Sequence, residues 1–181
     1  MNITKGIIAV ALFGFASFSV SQTTFTGTTA IDTSSWIHQK TVGASTVIEK
    51  FGKIASYTHA DGTNDNQMSD VIIVSGTLTN SQSVTHSLAA MSNSFGDSIN
   101  FSTVKTLAVT ASGGDLAIGN AASDQFSAWL GDTNQTAKVA SGGILVFVAP
   151  LTGWTSTNKL LKIENTTTNT ATYQLYIGGT Q

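Results

Sequence analysis

The chain contains no cysteine and no arginine, and it has only one proline and few charges. Without cysteine it can form neither disulfides nor thiolate metal sites, and a cysteine nucleophile is excluded. Charged residues make up 10% of the 181 residues, whereas an ordinary soluble domain has roughly 25%. A surface so poor in charge is typical of a protein that contacts other subunits over much of its area.

The charge balance also excludes a class of partner. All the basic residues are lysines, and the net charge is −2. Affinity for nucleic acid depends largely on the neutralisation of phosphates by Lys and Arg, so no nucleic-acid partner is predicted. Hydrophobic residues make up 41% of the chain, which is enough to bury a core, and the length suits one domain with an arm.

An apolar run over residues 6–20 follows Lys5 near the start of the chain. It is shorter than the roughly 20 residues that a membrane-spanning helix needs. One hypothesis is a secretory signal peptide, with cleavage near Ser19 or Ser21 removing residues 1–21. The other is a retained arm or helix, buried against another subunit or anchored in a lipid layer. Both hypotheses stay open, and they imply different compartments.

Short β-like segments separated by turn residues fill the rest of the chain. Turn-rich spacing of this kind, without a helical period, predicts an all-β fold, an antiparallel β-sandwich or jelly roll. The predicted domains are a segment over residues 1–33 and a sandwich over 34–181, in which 34–66 form peripheral strands and a loop and 67–181 form the core. The predicted strands of the core cover 70–78, 83–91, 97–104, 105–111, 115–119, 125–131, 136–140, 143–149, 158–165 and 171–179.

Alternation of apolar and polar residues predicts which side chains face the core. Residues 171–177 alternate strictly, which is typical of a strand with one buried face. The residues expected to be buried are Phe101, Val109, Leu161, Tyr173 and Leu175. Residues 144–148 are apolar on both sides, which indicates either a central, doubly covered strand or a subunit interface, and the interface is favoured.

No arrangement of residues predicts catalysis. His38, His59 and His86 are far apart and lack metal-ligand spacing, so each is interpreted as exposed or hydrogen-bonded. No nucleophile-elbow pattern occurs. The segments around 111–115 and 140–144 contain Ser-Gly-Gly without a phosphate-loop lysine, and each is predicted to be a hairpin turn.

Two other clusters have both a plain and a functional interpretation. Asp61, Asn64, Asp65 and Asn66 supply oxygen atoms that Ca²⁺ accepts, but their spacing favours a solvated turn. Trp129 and Trp154 near loops are expected to pack into the end of the sandwich, with sugar stacking or a subunit contact as the alternatives. The sequence therefore predicts no enzyme, no cofactor, no small-molecule substrate, and no catalytic, cofactor-binding or metal residue.

The later part of the chain resembles a family of small phage-encoded proteins. The segments that carry the resemblance are "GDSINFSTVKTLAVT", "LAIGNAAS", "SGGILVFVAPLTGW" and "LLKIENTTTNTATYQLYIGG", in the same order and spacing, over about residues 66–181. The resemblance implies a virion structural component with a β-sandwich fold. Its shared positions are turns and core residues, so it brings no catalytic group to this chain.

The leading functional hypothesis is a non-catalytic bacteriophage structural protein. It would lie in the virion, in the capsid shell, at a vertex or as a decoration. Its partners would be other virion subunits, either copies of itself or the major capsid protein, with membrane contact through residues 6–20 as a further candidate. The alternative is a secreted bacterial surface or filament protein, extracellular or on the cell surface, with residues 1–21 removed and carbohydrate as a candidate ligand.

Overall fold

The computed structural model describes residues 27–32, 37–42, 45–50 and 53–181, with side chains from residue 56 onward. Every regular element in these ranges is a β-strand, and no helix within them could cross a membrane. The predicted N-terminal arm or signal segment and the side chain of His38 lie outside this description. The strands are β1 (Gly27–Asp32), β2 (Ile37–Val42), β3 (Ser45–Lys50), β4 (Lys53–Asp61), β5 (Gln67–Met68), β6 (Asp70–Leu78), β7 (Ser83–Ser87), β8 (Met91–Ser92), β9 (Ser98–Ile99), β10 (Thr103–Ser112), β11 (Leu116–Gly119), β12 (Thr136–Val139), β13 (Ile144–Val148), β14 (Trp154–Thr155), β15 (Leu160–Asn165) and β16 (Ala171–Thr180).

Two antiparallel sheets form the body of the protein. Sheet I has the strand order β13-β10-β16-β6, with the short β14 beside β10, and sheet II has the order β12-β11-β15-β7. The buried side chains of both sheets form one hydrophobic cluster between them. The predicted all-β fold is confirmed and has the layers of a β-sandwich, while the jelly-roll topology remains a prediction.

The core follows from the alternation along β10, β15 and β16. In β16 the four alternating residues from Ala171 to Ile177 are buried, and the residues between them face outward. Phe101, Val109, Leu161, Tyr173 and Leu175 are all at most 5% exposed, so the predicted burial of these five residues is confirmed.

The predicted strands at 97–104 and 105–111 have other boundaries: residues 98–99 form the short β9, residues 100–102 are in no strand, and β10 begins at Thr103. Residues 103–112 form β10 without interruption, where the sequence predicted a boundary between 104 and 105. Val104 pairs with Gly179 and Thr106 pairs with Gly178, so Lys105 is an extra residue in the strand. Such a β-bulge changes the direction of one side chain and lets the strand continue.

The predicted strand at 125–131 is wrong, and the predicted strand at 83–91 is shorter than expected. The N–H groups of Leu130 and Gly131 donate to the carbonyl of Ser127, which makes a local turn. Phe126 and Trp129 are both buried by this turn, because a spacing of three places them on one side. In the other segment β7 ends at Ser87, and a turn follows over 88–90.

The two Ser-Gly-Gly segments are not hairpins, contrary to the prediction. Each joins a strand of one sheet to a strand of the other: 113–115 links β10 to β11, and 140–143 links β12 to β13. The two connections lie side by side, since the N–H of Gly142 donates to the carbonyl of Ala111 and the N–H of Ser141 donates to Asp115 Oδ1. Gly113 has a φ of 81°, and a Cβ there would meet the backbone of Thr170, so only glycine fits.

The strands before residue 69 form smaller units. β2 and β3 are a hairpin, and β4 pairs with β1 antiparallel and with β5 parallel. The N–H of Ser69 donates to the carbonyl of Gly179, which ties the end of β5 to β16. The division of the chain at residues 33 and 66 stays a prediction.

Candidate functional site

The side of sheet I that points away from sheet II is formed by four neighbouring strands. We call it the outer face. It consists of Val71, Ile73, Ser75 and Thr77 from β6, Thr172, Gln174, Tyr176 and Gly178 from β16, Thr106, Ala108, Thr110 and Ser112 from β10, and Ile144, Val146 and Val148 from β13. None of these residues is Asp, Glu, Lys, Arg or His.

An apolar row crosses the middle of the outer face. Val146 lies opposite Ala108, Ala108 opposite Tyr176, and Tyr176 opposite Ile73, one residue from each strand. Ile73 is 55% exposed, and Ile144 in the neighbouring row is 65% exposed. A contiguous exposed apolar patch on a folded domain marks an interaction surface more often than single exposed residues do.

Beyond the apolar row the outer face becomes polar and shallow. An open depression of about 520 Å³ is lined mainly by hydroxyl and amide side chains, from Ser75, Thr77, Thr110, Ser112, Thr172 and Gln174. The hydroxyl of Tyr176 donates to Gln174 Oε1 at 2.8 Å and so joins the two halves of the face. The depression offers neutral hydrogen-bonding groups, and its lining residues include no Asp, Glu, Lys, Arg or His.

The opposite end of the outer face is closed by the segment around β5. Met68 is buried against Gly178, where an added Cβ would meet the methionine sulfur at 2.8 Å. The Nζ of Lys105 donates to the carbonyl of Asn64, which binds the 61–66 loop to the bulge of β10. Burial lowers the pKa of Lys105, and the carboxylate of Asp65 opposes that effect.

His59 lies in the same closed end and contradicts its interpretation from the sequence. It is fully buried, and neither ring nitrogen has a hydrogen-bond partner among the described residues. The pKa of His59 is lowered, first by burial and then by the positive charge of Lys105. The ring therefore stays neutral in the folded protein, at a cost for each unsatisfied nitrogen.

The lowered pKa of His59 predicts a loss of stability in acid. The unfolded chain takes up a proton on this ring below about pH 6.5, while the folded chain resists it, so the free energy of unfolding falls as the pH falls. His59→Phe should reduce the stability difference between about pH 7 and pH 5, as measured by urea unfolding at the two values. An unchanged difference would show that His59 does not cause the acid sensitivity.

His86 and Tyr173 connect the two sheets. His86 Nε2 lies 3.1 Å from the hydroxyl of Tyr173, and the rings meet edge to face. Burial lowers the pKa of His86 and raises the pKa of Tyr173, so both groups are neutral near pH 7. His86→Phe is therefore a comparison variant for the urea unfolding at the two pH values. It keeps His59, so it should keep the loss of stability in acid that His59 causes.

The two tryptophans differ in burial. Trp129 is buried, its indole N–H donates to the carbonyl of Phe126 at 2.8 Å, and its ring contacts Phe147 edge to face. This contact confirms the predicted core packing of Trp129. Trp154 in β14 is half-buried and packs against the core cluster.

The other polar cluster singled out in the sequence is an ordinary loop. Asp61, Asn64, Asp65 and Asn66 are exposed, and the N–H of Asn64 donates to Gln67 Oε1 at 2.9 Å. Across the described residues, no group of three or more His, Cys, Asp or Glu side chains is placed to hold a metal ion.

Most of the outer face was missed in the sequence because four distant strands contribute to it. Only the doubly apolar segment 144–148 pointed to an interface, and among the described strands β13 lies at the edge of its sheet rather than in the centre. The run Val71-Ile72-Ile73-Val74 carries the same signal, since only Ile72 of these four is buried. The sequence signal that could have identified this surface is a continuous apolar run in a strand that has one solvent-exposed face. No protein-family model and no curated protein sequence matches the chain.

Proposed function

We propose that this chain is a non-catalytic structural protein of a bacteriophage virion, and that the outer face of sheet I contacts neighbouring subunits in the particle. The observation that carries the proposal is the uncharged outer face with its apolar row. An uncharged, partly apolar surface is removed from water at little desolvation cost, whereas buried charges must be paired.

The sequence resemblance supports the virion part of the proposal. The segments shared with the phage proteins fall on the strands and turns of the sandwich, including β10, β13, β15 and β16. Low charge across the chain fits a protein whose surface is largely covered after assembly. The place of the protein in the shell, at a vertex or as a decoration is part of the same proposal.

Ile73→Lys tests the contact on the outer face. Ile73 is already 55% exposed, so the free energy of unfolding should change by less than about 0.5 kcal/mol. Placing a charge in the apolar row should prevent the subunit contact, because that charge would lose its water without a partner. The variant should therefore fold but be absent from purified particles, as counted by quantitative mass spectrometry of the particles.

Ser83→Lys is the matched control for this experiment. Ser83 is exposed in β7 of sheet II, opposite Glu164, so the added charge there meets an acidic neighbour and no apolar surface. This variant should enter particles normally. Normal incorporation of Ile73→Lys would show that the outer face is not the contact.

The second candidate is a secreted surface or filament protein, and the hydroxyl-lined depression favours it as a site for a neutral carbohydrate. The two functions differ in the fate of residues 1–21, which the secreted form loses. Intact-mass measurement of the native protein distinguishes them: a chain that keeps these residues supports the virion component, and a chain that begins near residue 22 supports secretion.

A further inference from the structure

The edge strand β13 has an unpaired side with the hydrogen-bonding pattern of a pairing site. At the two ends of the β10–β13 pair, the N–H of Ala149 donates to the carbonyl of Lys105, and the N–H of Ala111 donates to the carbonyl of Gly143. The odd-numbered residues of this segment therefore point their backbone groups at β10. The N–H and carbonyl groups of Ile144, Val146 and Val148 point the other way, where β13 has no neighbouring strand among the described residues.

β13 lacks the features that usually protect an edge strand. Proteins protect such edges with charged side chains, proline or bulges. The strand "ILVFV" contains no charge and no proline, and its register with β10 is unbroken. Pro150 comes only after the strand has ended. Lys138 in β12, the preceding strand in the sequence, is paired with Asp115 at 3.2 Å.

We propose that β13 pairs antiparallel with β13 of a second copy of this chain, around a two-fold axis at Val146. In that register Val146 lies opposite Val146 of the second copy, and Ile144 lies opposite its Val148. Each outward-pointing N–H group of one copy then faces an outward-pointing carbonyl group of the other copy. The pairing places no like charges next to each other, because β13 contains no charged residue.

The pairing would extend the outer face as well as the sheet. Side chains 144, 146 and 148 all belong to the outer face, so two copies of the apolar row would become continuous. Four strands at about 4.8 Å spacing make each sheet roughly 19 Å wide, and the joined sheet would be about twice that. The inference rests on the proposed function, since it names the partner and the contact through which copies assemble.

The chain's lack of cysteine allows a test by single thiols in the full-length protein. In the proposed register the Cα atoms of the two Val146 residues would be about 5.5 Å apart, within the range that a disulfide spans. Val146→Cys should therefore form a disulfide-linked dimer on mild oxidation. Val148→Cys alone should not, because its two copies would lie roughly 14 Å apart.

A mixture of two variants tests the register. Ile144→Cys and Val148→Cys should each form no disulfide between copies alone and should form the mixed disulfide when combined, since these residues lie opposite each other only in the antiparallel register. Disulfide formation by Val148→Cys alone, or between Val146→Cys and Ile73→Cys on different copies, would overturn the proposal. The second result would mean that β13 pairs with β6 in an open-ended array.

A proline variant tests the backbone contact without a crosslink. The N–H of Val146 makes no bond to β10, so Val146→Pro removes only the outward donor, which edge strands tolerate. Dimer affinity should fall roughly tenfold or more, because two hydrogen bonds are lost at the axis. Val146→Thr keeps the N–H and should dimerise nearly as well, and both variants should unfold at similar urea concentrations. Equal affinity of Val146→Pro and the native chain in sedimentation would overturn the proposal.

The outcomes separate this inference from the proposed function. If the thiol variants do not crosslink while Ile73→Lys is still excluded from particles, the edge pairing fails and the virion role stands. If the thiol variants crosslink as described and the chain is absent from particles, the pairing stands and the virion role fails.

Discussion

Phe101→Ala should lower the free energy of unfolding by about 3–5 kcal/mol, the cost of replacing a fully buried phenylalanine by alanine. Phe101 is 0% exposed and lies in the segment that leads into β10. Its N–H donates to the carbonyl of Leu88, and its carbonyl accepts a hydrogen bond from the hydroxyl of Ser156. These backbone bonds hold the chain in place, so the site cannot collapse readily around the cavity.

The measurement is equilibrium unfolding in urea, with Phe95→Ala as the matched control. Phe95 is 77% exposed in a turn six residues earlier, so its truncation removes a side chain of the same size from the surface. The control should change stability by less than about 0.5 kcal/mol. A loss below about 1 kcal/mol for Phe101→Ala would contradict its place in the core.

The burial of Phe101 could be predicted because strand patterning is local information. Alternation of period two identifies the inward side chains of β10, β15 and β16 without knowledge of their neighbours. The same rule failed at 125–131, where Phe126 and Trp129 are buried by a turn with a spacing of three. Short apolar segments fit either pattern, and only the partners of the backbone N–H groups decide between them.

Connections between sheets could not be predicted by local patterning. A Ser-Gly-Gly segment reverses the chain whether the next strand pairs with the previous one or with the opposite sheet. In this fold 113–115 and 140–143 both cross between sheets, and they support each other through the bonds to Ala111 and Asp115. This pairing depends on contacts between residues about 30 positions apart, which no single turn signature contains.

Only part of the candidate site could be predicted from the sequence, because local patterns mark single strands and not their alignment with distant strands. The apolar row joins one residue from each of four strands that span positions 73 to 176. The sequence marks the two ends of the row through the runs at 71–74 and 144–148, but the alignment of Ala108 and Tyr176 between them is set by strand register. Register is fixed by the buried side of each strand, so the exposed row is a consequence of core packing.

Asn165 shows a second limit of sequence patterns, because a buried asparagine at the end of β15 looks like an ordinary turn residue. It is 0% exposed. The two hydrogens of its Nδ2 group are shared among the carbonyls of Leu78, Thr79 and Asn169, which lie 3.0, 3.1 and 2.6 Å from the nitrogen. Its Oδ1 accepts from the N–H and the hydroxyl of Thr167, both at 2.9 Å. One side chain thereby joins the end of β6 in sheet I to the end of β15 in sheet II and to the loop before β16.

Asn165→Ala should lower the free energy of unfolding by about 2–4 kcal/mol, since it removes the partner of the buried carbonyl of Leu78 and of three part-buried backbone groups. Asn165→Asp should not restore stability. A carboxylate keeps the acceptor for Thr167 but cannot donate to the three carbonyls, and it brings a negative charge towards their oxygen atoms.

Asn169→Ala is the matched control, because Asn169 contributes only its carbonyl and its side chain is exposed. Urea unfolding of the three variants should place the control within about 0.5 kcal/mol of the native chain. Native stability in Asn165→Asp would mean that the bonds accepted by Oδ1 hold this junction, and that the donation from Nδ2 to the carbonyls contributes little.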